Sequence, residues 1–374
     1  MNHGRLLIGI ALAGALSAAW PARAWCQEEQ PPAPAGPSTP PPENRSEPPP
    51  LPPPEEKDQR ERGPLTEPPA FQGPFANLMG PAVGHLVPRV DYRATWFPDE
   101  EVRGQPTNLG YVQQNLSAVF PIWQDPCDEW SLSVHVGDEL FHTSAILPDT
   151  RRPFPDDLWN IRFGTSYRYL FSNGWIGGGG LSVGTASDKP FHSINEMTVG
   201  VNAFLRVPQG EHNAWLFSLS YSPTSELPFP IPGVAFIYQP TDYLRLNIGL
   251  PFAVWYRPWD DLTVELSYML LRTVHARAVY RVCAPVRVYA GFDWSNESYF
   301  LADRFDENDR FFYYEKRLSA GVQVFLRRQA LLDISSGYVF DRFYFQGHQY
   351  NDLHHDRIDV GSGPLLGLRF ELRY

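Results

Sequence analysis

The stretch Leu366-Gly367-Leu368-Arg369-Phe370-Glu371-Leu372-Arg373-Tyr374 alternates large apolar residues with Gly, Arg, Glu and Arg. In a β-strand, alternate side chains point to opposite faces, so this pattern predicts one apolar face and one charged face. The same alternation recurs toward the N-terminus, in segments 130–136, 159–169, 197–205, 262–270 and 286–294. We therefore predict an all-β chain built from amphipathic strands.

Two all-β architectures produce this alternation, and they differ in where the apolar face points. A soluble β-sandwich turns it inward, whereas a transmembrane barrel turns it outward to lipid. The segments often run to about 9–12 residues, which suits a tilted bilayer crossing better than the roughly 5–6 residues usual in sandwiches. Tryptophans also recur near segment ends, as the interface girdles of a barrel require: Trp96, Trp130, Trp159, Trp175, Trp215, Trp255 and Trp294. We predict an antiparallel transmembrane β-barrel, with a soluble secreted β-sandwich as the alternative.

Short connections broadly alternate with longer polar loops along the chain. Pro, Asn, Asp and Gly preset the dihedral angles of tight turns at 172–174, 239–242, 257–260 and 283–285. The longer loops are predicted at 98–109, 141–157, 184–194, 297–311 and 344–362. We expect about 12–16 strands, with 16 as the best count, starting near residues 87, 110, 129, 158, 175, 195, 213, 232, 243, 252, 262, 273, 286, 312, 331 and 363. Merging of strands in the proline-rich region 230–258 would give the lower counts.

The composition narrows the functional classes. A net charge of −11 over 374 residues argues against a nucleic-acid-binding protein, which needs a basic surface. Three cysteines supply neither a disulfide framework nor a zinc module. Aromatic residues at 14% beside charged residues at 20% exclude a largely disordered chain. The mean hydropathy of −0.33 fits a barrel, because half of its wall residues face a polar interior.

The N-terminal region differs in amino-acid composition from the rest of the chain. An apolar run followed by the small-x-small site Ala22-Arg23-Ala24 predicts a secretory signal peptide. A lipid anchor at Cys26 is the alternative, although the residues before this cysteine do not form a lipobox. Residues 31–70 hold 16 of the 38 prolines, which exclude helix and sheet and predict a disordered, semi-extended periplasmic leader. The predicted domains are a signal peptide at 1–24, the proline-rich leader at 25–85 and the barrel at 86–374.

A family resemblance supports the barrel. It rests on Phe229-Pro230-Ile231-Pro232-Gly233-Val234-Ala235-Phe236-Ile237-Tyr238-Gln239-Pro240, followed by 244–252 and 256–258. Here, and over roughly residues 85–374, the chain resembles an uncharacterised family of bacterial outer-membrane β-barrel proteins, a domain of unknown function. The resemblance implies a barrel in the outer membrane of the cell, and it identifies no substrate and no functional residue.

The C-terminal strand also resembles the signal by which bacterial outer-membrane barrels are recognised for insertion. Its residues here are Phe370, Leu372 and Tyr374. The partners expected from this resemblance are outer-membrane lipid and the barrel-insertion machinery. The oligomeric state stays open, and no nucleic acid is expected.

In a transmembrane barrel, the residues that alternate with the apolar set line the lumen. By parity the predicted lumen arginines are Arg89, Arg93, Arg162, Arg168, Arg206, Arg245, Arg277, Arg281, Arg287, Arg317, Arg369 and Arg373. The predicted lumen acids are fewer: Asp91, Glu265, Asp293, Glu315, Asp333, Asp341 and Glu371. Because rings of fixed charge bias which ions enter a pore, we predict a passive or selective pore for small polar solutes, anions in particular.

Two alternatives to an open pore remain at this point. The arginines and acids could form a lattice that bridges strands across a filled lumen, since the guanidinium fork pairs well with carboxylates. The second alternative is a closed structural or adhesion barrel whose long outer loops bind a partner.

Few residues suggest catalysis. His192-Ser193 and the pair His142 and Ser144 have the residue types of a barrel lipid hydrolase. Neighbouring residues of a strand point to opposite faces, however, so His192 would not reach the Ser193 hydroxyl. We therefore expect no enzyme activity, no catalytic residue and no cofactor.

The remaining His, Cys, Asp and Glu residues bear on two other chemistries, metal binding and disulfide formation. The histidines and acids of 348–359 and the acids of 303–309 lack the spacing of zinc or calcium sites, so we expect no metal. An oxidising compartment would allow a disulfide between Cys127 and Cys283, with Cys26 as another candidate partner.

Overall fold

The computed structural model describes residues 82–374 except 226, 270–272, 328, 351 and 354. The predicted signal peptide and all but the last residues of the predicted leader lie outside the described residues. Antiparallel strands make up nearly the whole of this region. In chain order they are β1 (Arg89–Glu101), β2 (Asn108–Gln124), β3 (Asp128–Thr143), β4 (Asp157–Leu170), β5 (Ile176–Ser187), β6 (Met197–Gln209), β7 (Asn213–Tyr221), β8 (Ile231–Thr241), β9 (Leu244–Gly249), β10 (Phe252–Trp259), β11 (Leu262–Met269), β12 (Thr273–Cys283), β13 (Val286–Tyr299), β14 (Arg310–Arg327), β15 (Ala330–Gly347), β16 (Ile358–Val360) and β17 (Gly363–Arg373).

The strands form one closed sheet. Each strand from β1 to β15 pairs with the next, β15 pairs with β17, and β17 pairs with β1, which closes the barrel. Strand β16 is a short addition that pairs only with residues 342–344 of β15, so the wall has 16 strands. This confirms the all-β barrel and its best strand count, and it rules out the sandwich, which needs two packed sheets. Among the described residues, no helix is long and apolar enough to cross a membrane.

The two ends of the barrel differ. At the end where β1 begins and β17 finishes, which we call the turn end, the strands are joined by short turns at 125–127, 171–175, 210–212, 242–243, 260–261 and 284–285. At the opposite end, the loop end, the longest connections are 102–107, 144–156, 188–196, 222–230, 300–309 and 348–362. Several strands extend further toward the loop end than the alternation predicts, and the loops are correspondingly shorter.

The outer face of the wall is apolar and exposed. Ile334 in β15 and Leu366 in β17 are 58% and 53% exposed, and they pair with outward-facing residues on the neighbouring strands. In a water-soluble domain such side chains would be buried, because each exposed one forgoes roughly 1.5–3 kcal/mol of hydrophobic stabilisation. A continuous apolar outer face is therefore stable only where it contacts lipid.

Two residues do not face the side that parity predicts. Trp255, predicted as part of an outer girdle, pairs with Arg245 and Glu265 and faces the lumen. Asp341, predicted in the lumen, has φ +51° at a β-bulge in β15 and points outward, where Lys316 Nζ lies 2.7 Å from its Oδ2. The bulge adds one residue and so reverses the facing of the residues beyond it.

The other predicted girdle tryptophans divide into two groups. Trp96, Trp130, Trp175 and Trp215 are exposed, and Trp159 and Trp294 are partly buried.

Candidate functional site in the barrel lumen

The strand register defines which side chains line the lumen, because residues directly opposite in an antiparallel pair share a face. One continuous row crosses six strands on the lumen face: Arg93, Arg369, Asp333, Gln323, Arg287 and Arg281. A second row is formed by His135, Arg162, Gly184 and Thr198. The lumen face is thus polar and rich in arginine.

Some of these arginines form ion pairs along the wall. Arg369 donates to Asp91 at 2.5 Å and to Glu371 at 2.7 Å, and Arg373 donates to Glu371 at 2.5 Å. These partners lie on the same strand or the adjacent one. One pair links β17 to β1 and two lie within β17. None of the three crosses the lumen, whereas a lattice through a filled barrel would need pairs that do.

A buried pair lies near the turn end. Arg168 donates to both carboxylate oxygens of Glu129, at 3.0 and 2.7 Å, and both side chains are less than a tenth exposed. Glu129 was missed in the sequence analysis, together with Glu139 and Glu297. The alternation of this segment already predicts the facing of the first two. Glu129 and Glu139 lie at the same alternate positions as Ser131, Ser133 and His135, and so on the lumen face.

Other lumen arginines lack such partners. Within the described residues, Arg93, Arg206, Arg277 and Arg287 form no ion pair with a carboxylate, and the buried Nε atoms of the last three have no hydrogen-bond partner. Aromatic rings partly compensate two of them, since the Arg277 guanidinium lies 4.1 Å from the Tyr289 ring centroid and that of Arg287 lies 4.9 Å from Phe325. Glu265 lies opposite Arg277 in the strand register, but within the described residues neither Arg277 nor Arg287 forms an ion pair with it. Several guanidinium groups therefore face the lumen without a carboxylate at ion-pair distance.

The remaining predicted lumen arginines lie on the same face. Arg162 is exposed within the lumen, Arg89 pairs in register with Arg373, and Arg245 pairs in register with Trp255. Arg281 donates to Asp261 at the turn end, and Arg317 contacts Glu315 and Gln113 near the loop end.

The wall formed by β3–β6 is lined by small neutral residues. Here Ser131 and Ser166 share a hydrogen bond of 2.7 Å. A Cβ at Gly164 would lie 2.5 Å from the Ser133 hydroxyl oxygen, so a larger residue there would displace the Ser133 side chain. The result is a recess of about 140 Å³ lined by Ser131, Ser133, Gly164, Ser166, Gly180, Ser182 and Asn202. In the strand order this hydroxyl-lined wall lies opposite the arginines of β12 and β13.

At the loop end, opposite walls meet. Strands β5 and β13 lie on opposite sides of the barrel in the strand order. Nevertheless the Phe300 N–H donates to the Ala186 carbonyl at 2.8 Å, and the Ala302 N–H donates to Asp188 Oδ1 at 2.8 Å. These bonds join the chain after β13 to the end of β5, so the lumen is divided at this level.

An aromatic cluster fills the space beside this contact. Phe154, from loop 144–156, packs with ring centroids 5.0–5.5 Å from Phe141, Phe311 and Tyr344. The Tyr111 and Tyr313 hydroxyls are hydrogen-bonded to each other across several strands. We call this cluster the loop-end plug; its aromatic members are Phe97, Tyr111, Phe141, Phe154, Tyr299, Phe311, Tyr313 and Tyr344.

Two aspartate side chains link loops at the loop end by hydrogen bonds. Asp356 Oδ1 accepts from the Asp149 and Thr150 N–H groups at 2.8 and 2.9 Å, and Asp149 Oδ2 accepts from the Asp356 N–H at 2.5 Å. These reciprocal bonds join loop 144–156 to loop 348–362. The Asp356 side chain is buried and three backbone N–H groups act as donors, so these bonds hold the two loops together.

A second contact between loops involves His348, which the sequence suggested only as a possible metal ligand. His348 Nε2 lies 3.1 Å from Asp309 Oδ1 and 3.3 Å from Asp306 Oδ2. The Asn308 backbone N–H donates to Asp306 and, with His348, holds the pKa of this carboxyl below its ordinary value. In the described part of the chain, no group of three His, Cys, Asp or Glu side chains is arranged to hold a metal, and His354 lies outside it.

The residues considered for catalysis, disulfide formation and insertion have defined surroundings. Ser193 is the N-cap of a short 3₁₀ helix, and its hydroxyl donates to Glu196 Oε1 at 3.0 Å. Cys127 and Cys283 are not joined to each other. The Tyr374 side chain is exposed, and its N–H donates to the Pro88 carbonyl at 3.0 Å.

Comparison with known proteins adds little to these observations. No protein-family model and no curated protein matches the sequence. An outer-membrane channel from Pseudomonas putida F1 is similar at 11% identity and TM-score 0.34, over 79% of this chain and 97% of its own. OccK7 from Pseudomonas aeruginosa is similar at 8% identity and TM-score 0.35, over 77% and 98%. The β domain of the Bordetella autotransporter BrkA is similar at 12% identity and TM-score 0.31, over 77% and 100%. Similarities this weak leave the function to be argued from the barrel itself.

Proposed function

We propose that this chain is a bacterial outer-membrane β-barrel whose lumen admits small anionic solutes, with the loop end as its constriction. Support for the membrane location comes from the exposed apolar outer face, of which Ile334 and Leu366 are examples. Support for an anionic solute comes from one observation above all. Within the described residues four lumen arginines form no ion pair, and the buried Nε atoms of three of them have no hydrogen-bond partner, so guanidinium groups remain available to a solute in the lumen.

The observed pairing favours this proposal over the arginine–acid lattice. A lattice would place a carboxylate beside each guanidinium, because burying an unpaired charge costs several kcal/mol. Arg277 lies opposite Glu265 in the register but forms no ion pair with it, and the guanidinium groups of Arg277 and Arg287 lie over aromatic rings, which leaves their charges available to a passing anion. The neutral hydroxyls of the opposite wall would supply hydrogen bonds to the same solute without repelling it.

Conductance in planar bilayers tests the proposal. For the full mature chain under a salt gradient, we expect brief openings with a reversal potential on the anion side. Replacing Arg93, Arg277 and Arg287 together by Gln should shift selectivity toward cations, because local positive potential is lost. The matched control is Lys316→Gln, which removes a charge that pairs with Asp341 on the outer face and should leave selectivity unchanged. Cation selectivity of the unaltered protein would refute the anion proposal.

A closed barrel that binds a partner is the second candidate, and the divided loop end favours it. Ile194 and Phe305 are 85% and 76% exposed in neighbouring loops, which offers an apolar contact surface there. If neither the unaltered protein nor a variant with loop 144–156 shortened carries current, the closed barrel is the better explanation.

We also propose that the barrel is not a hydrolase: Ser193→Ala should leave any lipid hydrolysis by the purified protein unchanged.

A further inference from the structure

The polar lumen face includes one apolar patch, which is centred on strands β7 and β8. Its centre is 0–1% exposed and consists of Ala214, Leu216, Ala235 and Ile237. These residues face the lumen, because Leu216 lies directly opposite Arg206 in the strand register and shares its face. The partly buried side chains of Phe204 and Met269 pack against this centre. A solute in this part of the lumen therefore meets apolar side chains beside an arginine.

The charged residues of the surrounding wall are all arginines. Strands β6–β10 contain Arg206, Arg245 and Arg257 but no aspartate or glutamate. The two residues opposite Arg206 on its neighbouring strands are Ile176 and Leu216, so no carboxylate lies across from it. Arg206 and Arg245 are close enough for their positive charges to repel each other. An anion placed between them would relieve this repulsion.

Two buried hydrogen-bond donors beside the patch have no acceptor. The Nε atom of Arg206 and the indole Nε1 of Trp255 are buried and lack a partner among the described residues. Trp255 lies directly opposite Arg245, so it belongs to the same part of the wall. Its other neighbour in the register is Glu265 of β11, which accepts no hydrogen bond from the indole. A buried donor without an acceptor is costly, and a carboxylate accepts from guanidinium and indole N–H groups alike.

We propose that this part of the lumen binds small monocarboxylates that have an apolar body. The carboxylate lies against Arg206 and Arg245. The apolar body contacts Phe204, Trp255 and Met269, which are partly buried and line the wall above the patch. The inference rests on the proposed function, because it requires a lumen that admits anions, and it adds the chemical class of the solute.

A hydroxylated anion fits this site less well than an apolar one. Hydroxyl groups lose their hydrogen bonds to water when they pack against apolar side chains, whereas methylene groups gain from leaving water. The part of the lumen that suits hydroxyl groups is the serine-lined recess of β3–β6, which includes Ser133 and Ser166. Two anions of equal charge and length that differ in their hydroxyl groups therefore distinguish the two sites.

Binding to the purified full chain in detergent tests the inference without measuring current. The probes are hexanoate and gluconate, linear monocarboxylates with the same number of carbons, and acetate, which has the charge without the apolar body. Saturation-transfer NMR in deuterated detergent measures the dissociation constant of each probe. Arg206→Gln removes the carboxylate partner, and Arg206→Lys keeps the positive charge. The matched control is Arg103→Gln, in the exposed loop 102–107, and heat-modifiable gel mobility checks that each variant is folded.

We expect hexanoate to bind about tenfold more tightly than gluconate or acetate, because part of its chain leaves water on binding. Arg206→Gln should weaken hexanoate binding about tenfold through loss of a charge-assisted hydrogen bond. Arg206→Lys should retain most of the affinity, and Arg103→Gln should leave it unchanged.

Two outcomes would overturn the inference. Equal hexanoate binding by the unaltered chain and by Arg206→Gln would show that the probe partitions into detergent and not into this site. Gluconate binding as tight as that of hexanoate would assign the solute to the serine-lined recess. Neither outcome affects the anion proposal, which fails separately if the conductance of the unaltered protein is cation-selective.

Discussion

At the scale of single residues, the environment of each ion pair determines how much it stabilises the barrel. The Arg168–Glu129 pair is buried, with side chains 7% and 3% exposed, whereas the Arg281–Asp261 pair is 45% and 47% exposed. Water screens the exposed pair and costs it most of its Coulomb energy. In the buried pair, removal of one partner takes a close charged contact away from the other, desolvated charge. The two pairs have the same chemistry and should differ strongly in energetic effect.

Substitution of one acid in each pair tests this difference. Glu129→Gln should destabilise the folded barrel by about 3–5 kcal/mol, because it leaves the Arg168 charge buried. Asp261→Asn, the matched control, should change the free energy of unfolding by less than about 1 kcal/mol. Urea unfolding in lipid vesicles, followed by tryptophan fluorescence, measures both values. Equal effects would show that Arg168 is solvated in the membrane-embedded protein.

At the scale of elements, alternation predicted the strands well because it reflects a physical boundary. Each wall residue faces either lipid or the lumen, so the pattern of Leu366–Tyr374 reports directly on β17. The same principle placed strand starts within two residues of those observed, from β1 at Arg89 to β15 at Ala330. Parity fails where the register shifts, as it does at the bulge beside Asp341, and a bulge leaves no mark in a period-two pattern.

The loop-end plug could not be predicted from the sequence. Phe154 and Tyr344 come from distant parts of the chain and meet only through tertiary packing. The strand extensions were missed for a related reason: the ends of β14 and β15 carry apolar residues on both faces, because loops cover them outside the membrane. Residues such as Phe312 and Phe345 stack there in buried positions, which obscures the alternation.

Phe154→Ala should loosen loop 144–156. Phe154 is buried against three aromatic rings, and truncation of a packed phenylalanine costs about 3–5 kcal/mol. Trypsin cleavage after Arg151, which lies in this loop, should accelerate at least about tenfold, the factor that corresponds to roughly 1.4 kcal/mol of opening free energy. Phe191→Ala in the exposed loop 188–196 is the control and should leave the rate unchanged. An unchanged rate in Phe154→Ala would mean that Asp149 and Asp356 suffice to hold the loop.

At the scale of the whole molecule, the barrel combines an apolar exterior with a charged interior, the reverse of a soluble domain. The negative net charge of the chain conceals this arrangement, because the predicted leader contributes much of the acidity while the lumen face carries an excess of arginine. Composition alone therefore argues against nucleic acid as a partner without revealing the sign of the lumen charge. That sign depends on which face each side chain occupies, and so on strand register.

Adjacent residues of one strand provide a test of this inside-out arrangement. Ile334 faces outward, and Ser335 faces the lumen opposite Gly367. Ile334→Arg should destabilise the barrel in a bilayer by about 2–4 kcal/mol if it lies near the midplane, because it places a charge in lipid. Ser335→Arg, the matched control, points into a polar lumen and should cost clearly less. Urea unfolding in vesicles, with heat-modifiable gel mobility as a check of folding, compares the two. If the lumen substitution proved the more damaging, the outer face would not contact lipid and the membrane assignment would fail.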